Sequence, residues 1–471
     1  MSYTRKIAHN TIIQIIGKGI STVIGVVVIG MLTRYLGTTG FGQYITIMAF
    51  LQFFGVLVDL GLYIILIKKI SEPNVNQDEM VSNIFTLRLV SAVVFLGLAP
   101  IVVLFFPYAA IVKVGVLVTS LSFLGITLNQ ALTGVFQKHL RMDKVVIAEV
   151  IGRVILVGAT YAAITADAGL LWVMGSVVVG SLVNFAITFF FSRQLVKIRL
   201  RFNMAVWKNV IKDAWPIALS IGFNLVYFKA DTIILSLYHS EGTVGIYGAA
   251  YKVLEVLTTL PAMFAGLILP LLMVAWAAKE HERFRRVLQK AFDAMIMIAV
   301  PLAVGTVFLA GPIMDLIAPE FHDSATVLQI LIFATATIFV GNLFGNTVVA
   351  INKQRTMMWI YLGVSIVSLV GYLYFIPRYS YYGAAAMTVV SELMVTIAAG
   401  IIVCLAIKMW PSFKVFGKAL FASGIMAVVL YLISGVNIIA AFSIGGGVYL
   451  AILLLLRGIT RETLVEIFRS E

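Results

Sequence analysis

The chain has 471 residues, of which 61% are hydrophobic and 12% charged, with a formal net charge of +13. An ordinary soluble domain carries about 25% charged residues, so this composition excludes one. A transmembrane barrel is excluded as well, because its alternating strands of about ten residues are missing from the sequence.

Apolar runs long enough to cross a hydrocarbon core of about 30 Å lie at 11–33, 41–67, 82–106, 111–135, 146–166, 168–192 and 214–236. They continue at 244–275, 291–317, 325–351, 358–377, 382–407, 415–434 and 436–456. The fold class is therefore all-α integral membrane, with about 14 transmembrane helices. The N-terminus starts like a signal peptide, but the run from Thr11 is too long for one and no small-x-small site follows it. It reads as a retained first span.

Of the 34 lysines and arginines, 26 fall in alternate gaps and tails, from Arg5 and Lys6 through Arg193–Lys212 and Lys279–Lys290 to Arg457, Arg461 and Arg469. The opposite gaps hold only Arg34 and Arg378, with Lys113 near an edge. Basic residues mark the cytoplasmic side, so the expectation is a multi-pass protein with both termini inside. No nucleic-acid-binding motif accompanies this charge, and no nucleic-acid partner is expected. Trp207, Trp215, Trp276, Trp359 and Trp410 sit at basic edges and Trp172 at the other, as interfacial rings should. The longest gap, 193–213, mixes basic and apolar residues and reads as an amphipathic helix lying on the inner leaflet.

Gly37-Thr-Thr-Gly-Phe-Gly-Gln-Tyr resembles Gly242-Thr-Val-Gly-Ile-Tyr-Gly-Ala, and Val135-Phe-Gln-Lys resembles Ala350-Ile-Asn-Lys, each pair six spans apart. A repeat of six spans predicts two pseudo-symmetric lobes, 1–200 (spans 1–6) and 205–410 (spans 7–12), with 411–471 adding spans 13 and 14 and a tail.

Five cations lie inside the spans: Lys18, Arg88, Arg153, Lys229 and Lys252. Such residues are rare in hydrocarbon and mark function unless they are neutralised. Arg88 and Lys18 are both close enough to the basic surface to snorkel there. Glu149 with Arg153, and Lys252 with Glu255, share helix faces and can pair. Lys229 and Asp231 are two apart and point to different faces, which leaves Lys18 and Lys229 as the least neutralised cations. Asp59, Glu149, Asp231, Glu255 and Glu392 are the acidic residues that accompany the cations. Prolines at 216, 261, 270, 301 and 312 permit helix bending.

Catalytic and metal signals are absent. There is no phosphate-cradling Gly-rich loop, the five histidines are scattered, and the single cysteine, Cys404, sits in an apolar run. No enzyme activity and no cofactor are expected, although intramembrane carboxylates suit coupling to a proton or sodium gradient.

The runs Arg34–Tyr44, Asp59-Leu-Gly-Leu62, Ile67–Glu72, Ala230–Leu235 and Val244–Tyr251 resemble the Wzx-type polysaccharide flippases. These belong to the multidrug/oligosaccharidyl-lipid/polysaccharide exporter superfamily. The resemblance implies two lobes forming a V-shaped cavity. It implies a flippase that moves undecaprenyl-pyrophosphate-linked oligosaccharide repeat units to the outer leaflet of the cell membrane by alternating access, for surface polysaccharide biosynthesis. Lys18, Arg153, Lys229, Lys252 and Arg88 would then bind substrate. The lipid-linked oligosaccharide, membrane lipids and polysaccharide polymerase machinery would be its partners. The first-span arginine pattern of lipid II flippases is not present. A cation-coupled drug or small-molecule exporter of the same superfamily is the competing reading, with Asp59, Glu255 and Glu392 holding the ion. An integral-membrane polymerase or ligase is disfavoured by the short outer gaps.

Overall fold

The computed structural model describes residues 3–59, 61–73, 75–433 and 435–458. Arg461 and Arg469, and the side chains of Arg5 and Lys6, lie outside what is described. Fourteen α-helices occur among the described residues, and no strand. Apolar residues all around each helix leave the backbone no solvent partner, so only the internal hydrogen bonding of a helix satisfies it.

The helices are α1 (Tyr3–Asp59), α2 (Leu62–Ser71), α3 (Gln77–Val102), α4 (Ala110–Lys138), α5 (Met142–Thr165), α6 (Leu170–Ser192) and α7 (Met204–Tyr238). They continue as α8 (Glu241–Leu257), α9 (Thr259–Ala277), α10 (His281–Ile317), α11 (Ser324–Ala350), α12 (Gln354–Ile407), α13 (Lys414–Leu432) and α14 (Ile438–Leu455).

Among the described residues, twelve helical segments are long and apolar enough to cross a membrane, and the chain is a multi-pass membrane protein. Two of them, Ile12–Ser71 and Gln354–Ile407, are 60 and 54 residues long. At 1.5 Å per residue each would be about 80–90 Å if straight, far more than one crossing needs. Each breaks instead, α1 at Gly37 (φ 61°) and α12 at Ser380 (φ 53°), so each supplies two spans. Fourteen spans result among the described residues. Glycine adopts this left-handed backbone freely, whereas Ser380 holds it at a cost. Gly61 (φ 73°) makes a second break, between α1 and α2, inside span 2.

The chain divides into two compact units, residues 1–248 and 249–471, with the division inside α8. In the N-terminal unit α1 packs on α4, α5 and α7, and α6 packs on α4 and α5. In the C-terminal unit α11 packs between α10 and α12, and α13 joins α10 to α14.

The 193–213 gap differs from its expected form. Residues 196–203 are extended, and helix α7 starts only at Met204. The backbone N–H groups of Lys197, Arg199 and Arg201 donate to Asp78 Oδ1, Ser82 Oγ and Thr86 Oγ1 of α3, at 3.0, 3.1 and 3.0 Å. Two residues of extended chain advance about 6.6 Å, and one step of four along a helix advances about 6.0 Å. An i, i+4, i+8 row of polar side chains on α3 therefore serves as a ladder for the strap. Trp207 closes it, donating from Nε1 to the Asn83 carbonyl at 3.1 Å, and is buried rather than interfacial.

Candidate functional site

In the N-terminal unit, Lys18 and Arg153 stand on the packed pair α1 and α5. Gly17 of α1 sits directly over Val146 of α5, and a Cβ on Gly25 would meet Arg153 Nη1 at 3.4 Å. These two contacts set the helices in parallel register. They put Arg153 roughly 10 Å along the pair from the level of Lys18. Glycines permit this close approach, so the Arg153 guanidinium reaches across onto α1. Arg153 pairs with Glu149 at 3.6 Å. Lys18 is exposed on its helix, with no acidic partner among the described residues.

Arg88 contradicts the expectation that it snorkels. Its side chain is 0% exposed, and Nη2 donates to Asp59 Oδ1 at 2.5 Å and Gln130 Oε1 at 2.6 Å. Depth along α3 placed it near the surface, but its face on the helix turns it inward onto α1 and α4. Its Nε and Nη1 have no hydrogen-bond partner in the structure. Asp59 is the last residue of α1, just before the break at Gly61. The pair thus pins the point where span 2 changes direction. Gln130 was missed in the sequence, although an amide inside an apolar span is itself a group that needs a partner.

Asp231 of α7 is fully buried. It accepts from Tyr247 Oη at 2.5 Å and from the backbone and hydroxyl of Thr232 at 2.5 and 3.1 Å. Lys229 is half-buried, with Nζ 5.5 Å from the Phe228 ring centroid.

In the C-terminal unit Lys252 and Glu255 form the expected pair at 2.7 Å. Glu392 is buried on α12, 5% exposed, beside Ser391, whose hydroxyl meets that of Ser368 at 2.7 Å. The structure thus joins Asp59 to Arg88, Glu149 to Arg153 and Lys252 to Glu255. No group of three or more His, Cys, Asp or Glu side chains able to hold a metal occurs among the described residues.

Broken helices of this length, with charged groups held inside apolar spans, are features also found in repeat-built membrane transporters. A family profile described as polysaccharide biosynthesis protein matches residues 7–276, more than half of the chain, and a second, MatE, matches residues 216–373. The chain belongs to the polysaccharide biosynthesis protein family.

Among curated proteins, it is 26% identical over 216 residues to the probable flippase AglR of Haloferax volcanii, covering 45% of each chain. It is 28% identical over 191 residues to the putative O-antigen transporter of Shigella dysenteriae, covering 39% of this chain and 46% of that one. The chain spans about half the length of the curated relatives it matches. Its fold is shared with lipid II flippase MurJ in an inward closed conformation, at TM-score 0.78 and 16% identity over 96% of this chain and 99% of that one. An inward-facing multidrug resistance MATE transporter gives TM-score 0.69 at 12% identity, covering 90% of this chain and all of the other.

Proposed function

We propose that the chain is a flippase. In this reading it carries undecaprenyl-pyrophosphate-linked oligosaccharide from the cytoplasmic to the outer leaflet by alternating access, for surface polysaccharide biosynthesis. It resides in the cytoplasmic membrane with both termini inside, as two six-span repeats over 1–200 and 205–410 with 411–471 appended. Polysaccharide polymerase machinery is its prospective partner.

The observation that carries this reading is the exposed Lys18 on α1, roughly 10 Å along the packed α1–α5 pair from Arg153, with one acidic residue, Glu149, at a level between them. A pyrophosphate suits such a pair: arginine offers it a planar fork and lysine a point charge. Lys229 and Lys252 contribute further positive charge; Arg88, fully buried against Asp59, serves to position span 2 instead of touching substrate. The names of the curated relatives, a probable flippase and a putative O-antigen transporter, support the same substrate class.

Complementation of a flippase-null strain tests it. Lys18→Ala and Arg153→Ala, at normal protein levels, should fail to restore surface polysaccharide and should leave lipid-linked repeat units accumulated. Full restoration by both variants contradicts the reading. The buried Glu392 favours a second reading, a cation-coupled small-molecule exporter. That reading predicts drug sensitivity in the null strain without accumulated lipid-linked sugar, and abolition of resistance by Glu392→Gln.

A further inference from the structure

A groove of about 630 Å³ runs between α10, α11, α12 and the start of α13 in the C-terminal unit. Its lining is apolar, from Phe292, Phe333 and Phe344 to Ile397, Cys404 and Phe416. The polar exceptions, Thr337 and Thr396, have their hydroxyls occupied. Thr337 donates to the Phe333 carbonyl at 2.8 Å, and Thr396 to the Thr337 carbonyl at 3.3 Å. Apart from Trp410 at the mouth, the lining therefore offers a sugar or a phosphate no free polar side chain, and its occupant is hydrocarbon.

Length narrows the occupant. The lining extends about 12 Å along α10 (Phe292–Val300), about 16 Å along α11 (Phe333–Phe344) and about 22 Å along α12 (Val389–Cys404). That is close to one leaflet, half of a hydrocarbon core of about 30 Å. A polyprenyl tail is much longer than this, whereas one fatty acyl chain fits.

The mouth supplies the charge. It is formed by the turn Lys408-Met-Trp-Pro-Ser-Phe-Lys414, whose Trp410, Pro411 and Phe413 are part of the lining. Gln289 of α10 fixes this turn from both sides: it donates to the Ser412 carbonyl at 3.1 Å and accepts from the Ser412 N–H at 2.8 Å. Arg285 is committed to the end of α12 through the Ile407 carbonyl at 2.7 Å and to Glu282 at 3.0 Å. Asp293 is engaged by Gln289 at 2.9 Å. Lys408 and Lys414 bracket the turn, both exposed and without an acidic partner among the described residues.

We propose that this groove holds one acyl chain of an anionic glycerophospholipid, whose phosphate lies at Lys408 and Lys414. The site is separate from Lys18 and Arg153, and stands or falls independently of the substrate carried.

The test uses the full chain in detergent, stripped of lipid and titrated with phosphatidylglycerol or phosphatidylcholine of identical chains while thermal unfolding is followed. Phosphatidylglycerol should raise the midpoint at lower concentration, and it should slow alkylation of Cys404, the chain's single cysteine. Lys408→Gln with Lys414→Gln should require about thirtyfold more phosphatidylglycerol, at roughly 1 kcal/mol per lysine near an anionic headgroup. Ala336→Phe with Ile397→Trp should fill the groove and abolish both responses. Equal responses to the two lipids, or an unchanged titration in the double lysine variant, overturn the proposal. So does a folded groove-filled variant that still responds. The lysine variant leaves the packed groove untouched, so the test survives a groove-filled chain that fails to fold.

Discussion

A guanidinium with no access to water, as at Arg88, depends on its neighbours for every interaction it makes. Asp59 neutralises it and Gln130 takes a second bond. Removing one member of a buried ion pair leaves an uncompensated charge and costs about 3–5 kcal/mol. Asp59→Ala should therefore lower stability by that order, read by chemical unfolding in detergent. Replacing both Arg88 and Asp59 by Leu should recover most of the loss, because two well-packed apolar residues of similar size satisfy the site. The presence of a charge in span 3 was legible in the sequence, since it interrupts an apolar run. Its fate was not. Snorkelling and burial differ by which helix face the residue occupies and by partners 29 and 42 positions away. The intrahelical pairs Glu149–Arg153 and Lys252–Glu255 were legible for the opposite reason: their geometry is set by helix spacing alone.

Among elements, the tightest contact lies between the two sequence motifs that resemble each other. A Cβ on Gly42 would overlap the Glu241 carbonyl oxygen, and one on Gly245 would overlap that of Thr38. Only glycine allows α1 and the start of α8 to approach backbone to backbone. Gln43 then bonds Glu241 across the crossing at 2.7 Å. Gly42→Ala should force the helices apart, with an overpacking cost of about 1–3 kcal/mol, measurable as a drop in the unfolding midpoint. The motif's glycines were visible in the sequence, but nothing there showed that the two copies touch.

A pH response belongs to the loop after α4. Lys138 can only donate, so Gln77 Oε1 accepts from it at 3.0 Å, and Gln77 Nε2 is left to donate to His139 Nε2 at 2.8 Å. His139 must then accept at Nε2, which requires the neutral ring. Burial first, and the Lys138 charge second, hold its pKa below the ordinary 6.5. The unfolded chain therefore binds this proton more readily than the folded one, so stability is full above pH 6.5 and falls as pH is lowered through the folded value. Unfolding midpoints measured across pH 5–8 should show this decline, and His139→Gln should flatten it.

For the whole molecule, hydropathy located the fourteen spans to within a few residues at most ends, because each must match the same hydrocarbon thickness. The largest differences fall at basic ends. Helix α10 begins at His281 and α7 at Met204, about ten residues before their apolar runs, since a helix continues into water once charged side chains replace apolar ones. The strap at 196–203 was illegible because its hydrogen bonds come from α3 and not from its own sequence pattern. Charge asymmetry predicts that single cysteines placed at Lys279 and Lys353, in a Cys404→Ser background, will label only from the cytoplasmic side. Those at Asp167 and Arg378 should label only from outside.

Transport of a lipid-linked sugar is read directly by reconstitution. Proteoliposomes holding the purified chain and a short isoprenyl-pyrophosphate-linked oligosaccharide are probed with a membrane-impermeant glycosidase. Sugar initially protected in the lumenal leaflet should become cleavable with the native chain and stay protected with Lys18→Ala/Arg153→Ala. Protection that persists with the native chain, or cleavage that proceeds equally with the double variant, would contradict this expectation.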